Sequence, residues 1–212
     1  MISYILFDLD NTLYPSDMGM EEDMMRRICE YSGDFLGVSA AEALELRAQR
    51  MHLYGTTLEW LMAERGLTDV DGYYAAVHPD GEEDKLVPDP VLRDFIAQLP
   101  VPSAILTNSP MEHADRVLRK LELDGLFSTI YDIRWNGLEG KPAEGSFRRV
   151  LDAIGRKPEE VLFVDDLPSY VEGFIRLGGK GVLVDDMDRH PTWPHPRVRS
   201  IPEISRFLGE RP

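Results

Sequence analysis

The stretch FDLDNTLYP, residues 7–15, follows directly on the apolar run Ile2-Ser3-Tyr4-Ile5-Leu6. A short run of large and β-branched residues without strict alternation predicts a strand buried on both faces of a parallel sheet. The chain leaves that strand and places two carboxylates, Asp8 and Asp10, two residues apart, with Asn11 and Thr12 beside them. In an extended segment residues i and i+2 face one side, so both acids can serve one site. Two like charges held together repel and are costly to desolvate. A bound cation, and a phosphate carried by it, are the groups best suited to offset that cost.

Three further runs repeat the strand pattern: Ala104-Ile105-Leu106, Val161-Leu162-Phe163-Val164 and Val182-Leu183-Val184. Helical patterns separate them. Ser109-Pro110-Met111-Glu112 carries the N-cap, N1 proline and N3 glutamate of a helix start, with Ser109 expected as the cap. Residues 143–154 and 168–177 read likewise, and Gly178-Gly179 supplies a stop. Strands alternating with helices predict an α/β fold: a doubly wound, mainly parallel sheet with a Rossmann-like core.

Residues 16–87 break the rhythm. Their pattern is helical throughout, over 21–36, 39–54, 57–65 and 71–77, with a second capping box at Ser39-Ala40-Ala41-Glu42. We therefore expect residues 1–15 and 88–212 to form the α/β core and residues 16–87 an all-helical cap inserted after the first strand. The proline-broken stretch DRHPTWPHPRVRS, residues 188–200, reads as an irregular connection before a short final helix.

Composition narrows the function. The 212 residues carry a formal net charge of −15, which argues against nucleic acid or an anionic membrane surface as the main partner. A small phosphorylated substrate remains compatible, since a metal and one lysine can invert the local field. Cys29, the single cysteine, cannot form an intramolecular disulfide and reads as a packed helix residue in a cytoplasmic protein. The first apolar run meets Asp8 too soon for a signal peptide or a membrane span. A monomer or a homodimer is expected.

Polar clusters follow the predicted strands or precede helices: Asp8 and Asp10, then Thr107-Asn108-Ser109, then Lys141-Pro142, then Asp165-Asp166. An open parallel sheet brings such positions to its carboxyl edge, near the switch point where ligands bind. FDLDNTLY, LTNS, GKP and FVDD, in this order, resemble the four motifs of the haloacid dehalogenase superfamily of phosphatases. The inserted helices match that superfamily's small helical cap. DNTLYP, Tyr54-Gly55, VPDPVLRDFIAQL and LTNS…VLRKLELDGLFSTIYD further resemble the pyrimidine 5′-nucleotidase branch.

The resemblance implies a role for each residue. Asp8 would attack phosphorus and form an aspartyl-phosphate. Asp10 would protonate the leaving oxygen and then activate water. Mg²⁺ would be held by Asp8, the backbone carbonyl of Asp10 and Asp166, with Asp165 a water-mediated partner or a structural acid. Thr107 and Asn108 would donate to phosphate oxygens, and Lys141 would offset charge on Asp8 and on the phosphoryl group. The chain departs from the pattern after Asp165-Asp166. A small hydroxyl residue and, three positions on, an asparagine or aspartate are usual there, whereas Leu167 and Tyr170 stand here.

The implied activity is Mg²⁺-dependent phosphomonoester hydrolysis, with a pyrimidine nucleoside monophosphate as substrate and Tyr14, Tyr54 and Trp60 as flat surfaces for a base. For Tyr14 and Trp60, packing between cap and core is an equal alternative. Met18, Met20, Met24 and Met25 read as helix-core filler rather than a lid, and His113 as an exposed helix residue. The alternatives are a phosphatase or phosphomutase acting on a small sugar or organic-acid phosphate, or a non-catalytic binding protein on a phosphatase core. Dehalogenation fits poorly, because relatives with that activity lack an acid at the position of Asp10.

Overall fold

A computed structural model describes residues 1–209. Six strands form one sheet in the order β3-β2-β1-β4-β5-β6, and every pairing is parallel. The central four are β1 (Tyr4–Phe7), β2 (Ser103–Leu106), β4 (Val161–Asp165) and β5 (Lys180–Val184). They coincide with the four apolar runs. Two-residue edge strands, β3 (Ile130–Tyr131) and β6 (Arg197–Val198), complete the sheet. β6 falls within the stretch expected to be irregular. Its prolines do not prevent pairing, because an edge strand needs only one row of backbone partners.

Both faces of the sheet are covered, and alternation along β1 shows how. Ile5 and Phe7 pack with Ile105, Leu162, Val164 and Val182 beneath α5 (Pro90–Ala97) and α6 (Met111–Lys120). Tyr4 and Leu6 pack with Ala104, Leu106 and Phe163 beneath α7 (Glu144–Ile154) and α8 (Pro168–Arg176). Burial on two faces is why these strands read as continuous apolar runs. The chain runs outward from β1 to β2 and β3, then crosses back to β4, so the switch point lies between β1 and β4.

Between β1 and α5 the chain forms α1 (Met20–Leu36), α2 (Ala40–Ala48), α3 (Thr57–Arg65) and α4 (Val70–Val77). They build an apolar cluster of their own from Ile28, Leu58, Trp60, Leu61, Tyr73, Tyr74 and Val77, joined from the core side by Ile133. The Ser39–Glu42 capping box forms as expected, and Thr56–Glu59 forms another. The helix expected over 39–54 stops at Ala48, and a run of turns carries the chain to Gly55. No described helix is long and apolar enough to cross a membrane.

At Gly55 the inserted helices meet the core. A Cβ there would lie 2.7 Å from the Gly140 carbonyl oxygen and 2.9 Å from that of Lys141. Both of these oxygens are backbone atoms, which cannot swing away as a side chain can. We expect Gly55→Ala to destabilise the protein by about 1–3 kcal/mol through overpacking, read from urea unfolding. An unchanged midpoint would mean that this loop does not seat on the Lys141 segment.

Candidate active site

Register places the acids. Phe7 pairs with Val164, so Asp8 and Asp165 stand side by side at the next position, and the Asp8 amide donates to the Val164 carbonyl at 2.8 Å. The chain then turns sharply: Leu13 N donates to the Leu9 carbonyl, with Asn11 in the left-handed region at φ 57°. Asparagine adopts that conformation more readily than most residues. The turn brings Thr12 back to Asp8, its Oγ1 donating to Asp8 Oδ2 at 3.0 Å.

Lys141 reaches in from the loop before α7. Its Nζ donates to Asp8 Oδ1 at 2.6 Å and to Asp165 Oδ2 at 2.8 Å, and none of the residue is exposed. The Phe163 and Tyr170 rings lie 5.4 Å and 5.1 Å from the ammonium. Burial alone would lower the lysine, but Asp165 and Asp8 hold it well above its usual range, so it is charged. Burial pushes Asp8 up to about 7 against the pull of Lys141. Asp165, also raised by burial, has both oxygens engaged, Oδ1 accepting from Leu167 N at 2.8 Å.

Asp166 differs. Its carboxylate lines the cavity and accepts no hydrogen bond among the described residues. Burial, with Asp165 and Asp8 close by, raises it to about 9. Oxygen atoms of Asp8, Asp165 and Asp166 all lie within 4.8 Å of one another. One ammonium cannot neutralise three ionised carboxylates: without a cation, protons on Asp8 and Asp166 make up the difference, and a divalent cation would take their place. An all-oxygen donor set suits a hard ion, so the residues fit Mg²⁺, with Asp8 and Asp166 as its side-chain ligands.

Asn108 is placed otherwise than expected. Its Oδ1 accepts from Lys141 N at 2.8 Å, and its Nδ2 donates to the Lys141 carbonyl at 3.0 Å and to Tyr170 Oη at 3.1 Å. Both amide protons are committed to clamping the lysine segment, so its side chain has none for a phosphate. The Tyr170 hydroxyl donates in turn to the Gly55 carbonyl at 3.4 Å. The tyrosine at the family's asparagine or aspartate position thus joins the lysine clamp to the inserted loop. Thr107 lines the cavity, its Oγ1 accepting from Ser109 N at 3.0 Å.

The second acid has unexpected company. Asp10 Oδ1 accepts from Tyr14 Oη at 2.8 Å and bonds His113 Nε2 at 2.7 Å, while Oδ2 accepts from Ser109 Oγ at 2.7 Å. Burial opposes its ionisation, yet His113 holds it well below the usual carboxylate range. His113 is 1% exposed, not a surface residue. Burial would lower it, but Asp10 and Glu82 raise it to about 10. Ser109 does not cap α6. Pro110 is the N-cap residue, and Asp132 Oδ2 accepts from Met111 N at 3.1 Å. The one sequence signal for this arrangement is the four-residue spacing of Ser109 and His113, which turns both toward one carboxylate.

The aromatic expectations need correction. Trp60 is fully buried, packed among the inserted helices with Nε1 donating to Glu64 Oε2 at 3.1 Å. Tyr54 Oη donates to Glu64 Oε1, away from the acids. Tyr14 is buried and meets the site only through its hydroxyl. None of the three lines the cavity that Asp8, Asp10 and Asp166 share, which has a volume of about 160 Å³. Tyr73, Tyr74, Met24, Ile28, Leu58 and Val77 do, together with Arg47 and Thr57. Aromatic size alone did not distinguish a ring packed inside a helix layer from one facing a ligand.

Residues 2–178 match the family described as haloacid dehalogenase-like hydrolase. Over 74 residues the chain is 31% identical to enolase-phosphatase E1 of Xylella fastidiosa (strain M12), covering 35% of this chain and 31% of that protein. The chain thus spans about a third of the length of the curated relatives it matches. Two solved structures share the fold. The L-2-haloacid dehalogenase of Xanthobacter autotrophicus is 19% identical with a TM-score of 0.63, over 99% of this chain and 100% of that one. An HAD phosphatase of Thermococcus onnurineus is 19% identical with a TM-score of 0.64, over 99% and 98%.

A cation that binds only the folded state stabilises it by mass action. We expect millimolar Mg²⁺ to raise the thermal midpoint relative to chelator, and Asp166→Asn to remove most of that rise. An unchanged wild-type midpoint would contradict a metal at Asp8 and Asp166.

Proposed function

The chain belongs to the haloacid dehalogenase-like hydrolases, and from that premise we propose that it hydrolyses phosphomonoesters through a phosphorylated Asp8, with Mg²⁺ as cofactor and pyrimidine nucleoside monophosphates as substrates. The observation that carries the reading is Asp10, held by Tyr14, Ser109 and His113 in the cavity that Asp8 also lines. A halide departs without a proton. The alkoxide of a phosphomonoester needs one, and Asp10 is the carboxyl group placed to supply it.

In the first half-reaction Asp10, ionised in the free protein, takes up a proton as the negatively charged ester enters; an Asp8 oxygen then bonds to phosphorus as the P–O bond to the leaving group breaks, and Asp10 gives that oxygen its proton. In the second, Asp10 takes a proton from water, the water oxygen attacks phosphorus, and phosphate leaves a free Asp8 carboxylate. Lys141 opposes the burial that raises Asp8 and adds positive charge where the transferring phosphoryl group gathers negative charge. Thr107 is placed to donate to a phosphate oxygen, and the Asn108 clamp holds Lys141 on target. Bound at Asp8 and Asp166, Mg²⁺ would neutralise phosphate charge and orient the ester.

Three features support the substrate class: the motif resemblance, the Tyr73–Tyr74 wall, and the cavity volume of about 160 Å³. A cavity of about 150 Å³ accommodates a benzene-sized ligand. The same cavity must also take the phosphate beside Asp8, so a two-ring purine is the less favourable occupant. Arg47, bonded through Nε to Thr57 Oγ1 at 2.8 Å, is the one arginine or lysine among the lining residues. It offers a donor to a base carbonyl.

Asp8→Asn is expected to abolish turnover with the fold intact. Asp10→Asn should lower kcat by ~10²–10⁴-fold, the span of general acid–base catalysis, and by less for p-nitrophenyl phosphate, whose leaving group needs no proton. Equal losses on all esters would contradict the acid role. Across a substrate panel, UMP and CMP should show higher kcat/KM than AMP, GMP, UTP or small sugar phosphates. Sugar phosphates preferred over every nucleotide would overturn the substrate assignment and leave the phosphatase reading standing.

A further inference from the structure

Behind Asp10 lies a buried polar network that the reaction as written does not use. His113 Nδ1 bonds Glu82 Oε1 at 2.5 Å, and His78 Nδ1 meets the same oxygen at 3.0 Å. The Arg116 guanidinium reaches Oε1 at 3.3 Å, and Arg27 Nη2 donates to Glu82 Oε2 at 2.6 Å. The Glu82 side chain is 2% exposed. The four donors come from α1 (Arg27), the C-terminal end of α4 (His78) and α6 (His113, Arg116), while Glu82 itself sits on the segment returning from the inserted helices to the core.

His78, Glu82 and His113 have the composition and spacing of a metal site. Their bonding says otherwise. Both His113 nitrogens are occupied by carboxylates, both Glu82 oxygens are occupied, and two guanidinium groups stand where a cation would be repelled. The cluster is a hydrogen-bonded strut. One end is the Asp10 carboxylate, and the other is tied to α1 of the inserted layer.

We propose that Glu82 and His113 are positioning residues: His113 fixes the direction of the Asp10 carboxylate, and Glu82, through Arg27, makes that direction depend on the inserted helices being seated. The inference rests on the phosphatase reading for its consequence and on geometry alone for its content. Tyr14 and Ser109 reach Asp10 from the loop after β1 and from the residue before Pro110, the N-cap of α6. Only His113 passes the load to a second buried anchor. Without it Asp10 keeps two donors but loses the one whose far side is braced.

The test uses His113→Leu and Glu82→Gln in the full chain. Misplacing a catalytic group by about 1 Å costs ~10²-fold. His113→Leu should therefore lower kcat on UMP by ~10–100-fold with little change in KM, and lower p-nitrophenyl phosphate turnover by much less. Glu82→Gln, which keeps the shape and loses the charge, should show the same asymmetry to a smaller degree. A crystal structure of His113→Leu should show the Asp10 carboxylate turned from its present place. Equal losses on both esters, or no loss, would overturn the proposal, as would an Asp10 that has not moved. Should His113→Leu fail to fold, Glu82→Gln decides by the same asymmetry. A wild-type protein inactive on all phosphomonoesters would instead overturn the phosphatase reading, and the position of Asp10 in the variant crystal would then judge the strut alone.

Discussion

A single buried ammonium, Lys141, stands between Asp8 and Asp165 at the carboxyl edge of the sheet, and the surrounding structure is arranged to keep it there. Parallel pairing of β1 with β4 forces two carboxylates to adjacent positions where both strands are buried, so some compensating charge is a condition of the fold as well as of any chemistry. The lysine cannot come from either strand. It arrives on a separate loop, held by two backbone bonds to Asn108. Asp166 has no share of that ammonium, which leaves it the carboxylate open to a proton or to the proposed divalent cation.

The inserted helices bear on this centre at two places with different chemistry. At one, Gly55 lies against the Gly140 and Lys141 carbonyls and accepts from Tyr170. At the other, Glu82 gathers donors from α1, α4 and α6 behind Asp10. The first contact concerns the lysine and the second the acid. Seating of the helices therefore touches both charged partners of the reaction while closing a cavity whose wall is largely apolar. An apolar wall strengthens the electrostatic interactions among the charged groups it borders.

Much of this was legible in the residues, and the limits have physical causes. β1 and β4 were plain because burial on both faces leaves an unbroken apolar run. β3 and β6 were not, since two residues at a sheet edge make no pattern. Asp8, Asp10, Lys141 and Asp166 could be picked out because their chemistry sits at strand ends and loop starts. His113 could not. Its burial depends on Glu82, 31 residues away, and a histidine on a helix carries no sign of a distant carboxylate. Ser109 looked like a helix cap because its type and spacing are those of one, but Asp132 supplies the bond from 21 residues on. Trp60 and Tyr54 were misplaced for a related reason: packing and stacking call for the same side chains, and only the tertiary arrangement says which face of α3 is covered.

The central claim is that Asp8 becomes covalently phosphorylated during turnover. Mixing the protein with substrate and Mg²⁺, quenching in acid within the first turnover and mapping peptides by mass spectrometry tests it directly. The account predicts one added phosphoryl group on the peptide containing residues 7–15, located at Asp8 and lost as phosphate is released. Turnover that proceeds with no phosphorylated peptide at any quench time, or with the group on another residue, would contradict it.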